Sequence, residues 1–348
     1  MARLSAGWRA LLLSWAVVLL LIGGGTAVLA WLGPLPAAPV AEAEHEPAGP
    51  AATTTATAPA TPPGPEPPSP VEAAGRPAPA PDRAIPAGDV ALQDPGPYGP
   101  MPRIGPDGRT PIRAFGRPFD RQESRPRIGL VIGGLGMNAA LTEEAIRRLP
   151  GAVTLAFSPY APQPGRLLDQ ARARGMEILL ALPLEPTGYP LDNPGNRALL
   201  TSLPAAENED RLAWLLSRFS GYVGVIGALG PMRGERFAAM LSPYGDLQAR
   251  IASRGLLYVD PRPGAPPPDR AWGRGVDLVI DEPATRGEIE RKLGQLEALA
   301  RQRGVALGYA GEASPVLIDR LAAWTGTVEA SGLILAPVSA LIQRPAAR

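Results

Sequence analysis

Arg127-Ile128-Gly129-Leu130-Val131-Ile132-Gly133-Gly134-Leu135-Gly136 is a short apolar run that stops in glycines and then opens into a helical pattern. A β-branched and aliphatic run this brief, bounded by glycine, suits a strand buried on both faces, as parallel sheets covered by helices require. It reads as the first strand of an α/β domain. Such folds carry their chemistry at the carboxyl ends of the strands. Here that end, Gly133-Gly134, offers no side chain able to do any.

Toward the carboxyl terminus, strand-like runs recur at 152–157, 177–182, 222–226, 256–260, 276–280, 305–309 and 333–336. Helical patterns lie between them. The clearest is 285–303, where Thr285 and Glu288 fit a capping box, Ile289, Leu293, Leu296 and Leu299 share one face, and Gly304 ends the helix. About eight strands alternating with helices over 126–348, without an internal repeat, fit a (β/α) barrel or an open doubly wound sheet.

Toward the amino terminus the composition changes. Residues 36–125 are rich in proline, alanine and threonine, as in Pro62-Pro63-Gly64-Pro65-Glu66-Pro67-Pro68. No apolar period survives there to offset a backbone ordering entropy of ~1–2 kcal/mol per residue. The segment is therefore expected to be a disordered tether, semi-rigid at about 3.1 Å per residue. Its last part, 101–125, is richer in arginine and holds Phe115 and Phe119, which would let it lie against the folded domain.

Residues 10–35 form an uncharged, mostly apolar run preceded by Arg3 and Arg9 in the short basic segment 1–9. A bilayer core needs about 20 apolar residues in a helix, so this run is expected to span, with a cleaved signal peptide as the competing reading. The two arginines put the amino terminus in the cytoplasm. The expectation is a single-pass inner-membrane protein whose folded domain stands in the periplasm.

Composition removes several function classes. The chain has 348 residues, 44 prolines, 40 glycines and a net charge of +1, which gives no electrostatic case for a nucleic-acid partner. With no cysteine, thiolate metal sites and iron–sulfur clusters are excluded. The sole histidine, His45, lies in the expected tether.

Gly134-Leu135-Gly136-Met137-Asn138-Ala139 satisfies a weak dinucleotide fingerprint after a strand. The next strand ends in Phe157-Ser158-Pro159-Tyr160, without the acid that should hold a ribose, so a plain strand-to-helix turn is the favoured reading. Later strand ends do carry polar groups. Glu185 follows the third strand, as a general base, a ligand or a loop carboxylate bonded to nearby amides. Asp260 ends another with Arg262 two residues on, and Asp281 and Glu282 end the next. These five residues are the candidate polar site.

The landmarks Leu130-Val131-Ile132 with Leu135-Gly136, Val153-Thr154-Leu155-Ala156-Phe157, Pro159-Tyr160-Ala161, Leu182-Pro183-Leu184-Glu185-Pro186, Tyr189-Pro190, Asp260 with Arg262, and Pro337-Val338-Ser339-Ala340-Leu341 carry a resemblance. In this order they resemble the divergent polysaccharide deacetylase family, bacterial envelope proteins distantly related to NodB-type carbohydrate deacetylases. The resemblance implies a (β/α) barrel, distorted and of seven to eight strands, and metal-dependent deacetylation of a carbohydrate. Relatives usually carry paired aspartates where this chain has Gly133-Gly134, and histidines where it has Ala181 and Tyr309. They usually show Asn-Asn-His-Met-Gly-Ser where this chain follows Gly224-Val225 with Ile226-Gly227-Ala228-Leu229-Gly230-Pro231.

Whether the chain is an enzyme is thus left open by its sequence. The preferred expectation is a pseudoenzyme that binds an envelope glycan or an envelope protein, with no metal and no other cofactor. The alternative is an active deacetylase or other hydrolase using an all-oxygen site built from Glu185, Asp260, Asp281 and Glu282.

Overall fold

The computed structural model describes residues 83–345, together with Trp15. The span expected at 10–35 therefore lies, Trp15 apart, outside the described residues, as does the tether before residue 83. Among the described residues no helix is long and apolar enough to cross a membrane.

Ordered structure begins well before the first expected strand. A 3-10 turn at Val90–Leu92 leads into an antiparallel hairpin of β1 (Gln93–Gly96) and β2 (Gly99–Pro102). A short helix, α1 (Pro111–Phe115), follows; its cap residue Thr110 accepts from the Arg113 amide, and proline at the first position has no donor to leave unpaired. Ile85, Leu92, Met101 and Phe115 are all buried. The tether expected to reach residue 125 is thus folded from residue 83. Its few apolar side chains lack a period of their own because they pack onto the barrel instead of onto each other.

The glycine-bounded run is β3 (Arg127–Leu135), followed by α2 (Ala139–Arg148) and β4 (Thr154–Phe157). The chain continues through α3 (Gly165–Ala173), β5 (Ile178–Ala181), α4 (Ala205–Leu216) and β6 (Gly224–Ile226). Next come α5 (Glu235–Ala238), α6 (Leu241–Ser253) and β7 (Leu257–Asp260). Two very short strands, β8 (Gly273–Gly275) and β9 (Leu278–Val279), precede α7 (Arg286–Arg303), β10 (Val305–Ala310), α8 (Pro315–Thr325) and β11 (Ile334–Leu335).

From β3 onward every strand pairing is parallel, in the order β8-β7-β6-β5-β4-β3-β10-β9, with β11 beside the start of β3. The two edge strands are consecutive pieces of one stretch of chain. The Val276 amide still donates to Asp260 of β7, whereas the next amide, Asp277, donates to Leu307 of β10. The sheet has curled until one segment reaches both of its edges. The run 276–280, expected as one strand, is divided by this change of partner.

Curling separates two cores. Leu130 and Ile132 face outward to a layer that includes Leu293 and Leu296 of α7 and Leu317 and Ile318 of α8. Val131, between them, faces inward with Leu179, Val259, Leu307 and Tyr309. Ile85, Leu92 and Phe115 belong to this inner cluster, as do Val338 and Leu341, so the early segment and the end of the domain together form the barrel floor.

The floor is latched by Glu177, just before β5. Its fully buried carboxylate accepts from the Arg117 amide at 2.8 Å, from the Ser339 amide at 3.1 Å, and from the Ser339 hydroxyl. On α7, Thr285 occupies the cap position but makes no side-chain cap bond, and Glu288 pairs with Arg291 at 2.6 Å instead of closing a capping box. Gly304 ends that helix at a φ of 76°, a conformation that favours glycine.

Candidate functional site at the barrel mouth

The carboxyl end of β3 is shaped by its glycines. The pairing register with β4 shifts between Ile132 and Leu135, a bulge that includes Gly133 and Gly134. Gly134 and Gly136 have φ of 69° and 89°. A Cβ on Gly133 would stand 2.7 Å from the Gly311 carbonyl oxygen and 2.9 Å from the Tyr309 hydroxyl. That hydroxyl donates to the Gly230 carbonyl at 2.9 Å. Burial pushes the Tyr309 phenol far above its ordinary value, so it stays neutral and acts as a fixed donor. A side chain at position 133 would crowd both this phenol and the Gly311 carbonyl.

The glycine turn has a local role. Asn138 caps α2 by accepting from the Leu141 amide at 3.1 Å, and Thr142 accepts from the Gly136 amide at 3.0 Å while donating to the Asn138 carbonyl. Side chains of the protein already satisfy this helix start.

The candidate acids are dispersed. Glu185 is 2% exposed and binds the Thr201 amide and, at 3.1 Å, the Arg236 guanidinium. Its backbone also pairs with Leu199 and Phe237, so it fastens the loop after β5 to α5, as a loop carboxylate would. Glu282 is paired with Arg233, and its carbonyl accepts from Lys292. Asp281 accepts from the Glu312 amide at 3.0 Å through Oδ2, while its buried Oδ1 has no partner among the described residues.

Asp260 and Arg262 do pair, as their spacing allowed. Arg262 donates from Nε and Nη2 to the two carboxylate oxygens at 3.0 and 2.6 Å, and from its amide at 3.0 Å. Tyr244 of α6 donates to Oδ2 at 2.6 Å, and the Arg262 guanidinium lies 5.4 Å from the centre of the Tyr244 ring. Tyr258 meets Tyr244 edge to face at 5.8 Å. Burial first, and then the Asp260 charge, push the Tyr244 phenol well above its ordinary value. The arrangement is a rigid hydrogen-bonded cluster rather than a poised acid and base.

Two recesses open among the residues at the strand ends. One, of about 280 Å³, is lined by Gly134, Met137, Ser158, Tyr160 and Glu312 among others. The other, of about 540 Å³, has Tyr244, Asp260, Arg262 and Arg270 in its walls. Tyr244 and Glu312 were not legible as site residues, because only the folded chain brings them beside strand ends far away in sequence. Tyr309 was legible only as a replacement.

These residues do not fit a catalytic metal. Among the described residues no three histidine, cysteine, aspartate or glutamate side chains stand together as a cation would need, and His45 lies outside them. The four strand-end acids are each committed to different neighbours. The five candidate residues therefore form no single constellation; only Asp260 and Arg262 act as a unit.

A family model described as divergent polysaccharide deacetylase matches residues 130–342. The crystal structure of an uncharacterized protein from Agrobacterium tumefaciens C58 is similar, with 35% sequence identity and a TM-score of 0.65, over 70% of this chain and 99% of that one. None of the curated proteins matches. The chain belongs to the divergent polysaccharide deacetylase family.

Proposed function

We propose, with that membership as the premise, that this chain is a non-catalytic member of its family that holds a glycan at the barrel mouth. The observation that carries the reading is the Tyr309 hydroxyl lying 2.9 Å from where a Cβ on Gly133 would stand. Hydrolysis through a metal needs imidazole or carboxylate ligands around one open position and a base for the bound water. Here a neutral phenol and a glycine share that ground.

The larger recess supports glycan binding. Asp260 is 2% exposed and spends both oxygens on Arg262 and Tyr244, so these side chains are set before a ligand arrives. Arg262 bonds through its amide, Nε and Nη2, which leaves Nη1 for a sugar hydroxyl beside the Tyr244 ring. Aromatic faces with a few fixed polar groups are the usual lining of small-molecule pockets. On this reading the folded domain stands in the periplasm, tied to the inner membrane by the span at 10–35.

Equilibrium binding of N-acetylglucosamine oligomers to the full chain, with acetate release followed in parallel, tests the proposal. The expected result is saturable binding weakened by Arg262→Gln, and no acetate. Acetate release that disappears in Asp260→Ala would sink it and revive the all-oxygen hydrolase.

A further inference from the structure

At the amino-terminal end of the barrel, opposite the mouth, a recess of about 370 Å³ opens beside the seam between β8 and β10. Four arginines line it. Arg125 precedes β3, Arg127 opens it, Arg274 lies in β8, and Arg303 ends α7. Glu123 also lines the recess, and Asp277 stands behind it, 3.0 Å from Arg274 and 3.2 Å from Arg303. Arg125 also feels the charge of Glu329, and four guanidiniums against these three carboxylates still leave positive charge in excess.

The site is built into the fold. Arg274 is only 7% exposed; it bonds through Nη2 to Asp277 and to the Val305 carbonyl, and its buried Nε has no partner among the described residues. A buried donor left unpaired costs free energy. Arg127 donates from Nη2 to the Arg121 and Glu123 carbonyls, and its guanidinium lies 5.4 Å from the centre of the Phe119 ring. Arg303 bonds to Asp277 through Nη1. Arg125 is paired with Glu123 through Nε and Nη2, at 3.0 and 2.6 Å. Each guanidinium is thus anchored through one edge with nitrogens to spare. Planar guanidiniums match the oxygens of a phosphate two at a time.

We propose that this floor recess binds a phosphate group. The spare guanidinium nitrogens match the several oxygens of a phosphate, which a single carboxylate does not offer. The same chemistry is offered by a free phosphate or pyrophosphate and by the phosphomonoester headgroup of phosphatidic acid. A bound anion would tie β3, β8 and the end of α7 across the seam. The site is independent of the mouth and of the reading proposed for it.

The test uses the full chain, with inorganic pyrophosphate in calorimetry and phosphatidylcholine vesicles with or without phosphatidic acid in flotation. Arg303→Gln and Arg125→Gln change side chains that are 57% and 32% exposed and leave both cores intact. Saturable pyrophosphate binding that weakens about tenfold in each variant supports the site and identifies a free anion as its ligand. Binding seen only with phosphatidic acid, and lost in the same variants, supports it and identifies a lipid headgroup. Failure to bind either probe, or binding that both substitutions leave undiminished, overturns it.

Discussion

The Tyr309 hydroxyl lies 2.9 Å from the point where a Cβ on Gly133 would stand, and the Gly311 carbonyl lies 2.7 Å from the same point. One of these neighbours is backbone and the other is held by its bond to Gly230, so neither yields freely. Gly133→Ala is expected to cost about 1–3 kcal/mol, the usual range for overpacking. Tyr309→Phe removes the hydroxyl and one hydrogen bond, at about 1 kcal/mol. The double variant should lose less than the sum of the two. Urea unfolding of all four proteins measures the coupling, and strict additivity would contradict the contact.

Glu177 gives the fold a pH dependence of known sign. Burial raises its carboxyl above the ordinary 4.5, against three donors from Arg117 and Ser339 that favour the ionised form. The folded state therefore holds the proton more tightly than the unfolded one, and the group's contribution is full below 4.5 and shrinks as pH rises toward the folded value. The stability difference between the natural protein and Glu177→Gln should fall as pH is raised from below 4.5 to neutrality. Chemical denaturation across that range checks it, and a difference that widens with pH would be the wrong sign.

Removing the barrel floor should cripple the domain. Leu92 and Phe115 are 1% and 5% exposed, and burying such side chains stabilises by about 1.5–3 kcal/mol each. A domain's whole stability is roughly 5–15 kcal/mol. A chain starting at Pro126 should melt far below one starting at residue 83, or aggregate. Equal melting temperatures would show that the early segment only decorates the sheet.

Asp260→Ala strands three donors at once: the Tyr244 hydroxyl, the Arg262 guanidinium and the Arg262 amide. Water reaches Arg262, whose side chain is 28% exposed, so the cost should stay below that of a fully buried pair, at about 2–4 kcal/mol. Tyr244→Phe, which keeps the ion pair, should cost about 1 kcal/mol. Thermal unfolding distinguishes the two, and a larger loss in Tyr244→Phe would reverse the roles assigned here.

Much of the barrel was legible because its strands are short apolar runs bounded by glycine, proline or polar residues, and a parallel sheet needs both faces of a strand apolar. The bulge at Gly133-Gly134 was not, since a glycine pair reads equally as a strand end. Residues 276–280 looked like one strand because the change of partner at Val276 and Asp277 is a property of sheet closure. Phe115 and Phe119 do lie against the folded domain, as expected of 101–125, whereas the earlier part of the floor, with Ile85 and Leu92, was hidden because its apolar partners, such as Val338 and Leu341, are far away in sequence. At the mouth, Asp260 and Arg262 could be paired from spacing alone, whereas Tyr244 and the packing of Tyr309 against Gly133 needed the fold.

Calorimetric titration of zinc, manganese and magnesium into the full chain tests the central claim most directly, because it assumes nothing about the substrate. No saturable binding of any of the three is expected at the barrel mouth. Tight, stoichiometric binding that Asp260→Ala or Glu185→Gln abolishes would contradict it, and would restore a metal-dependent hydrolase.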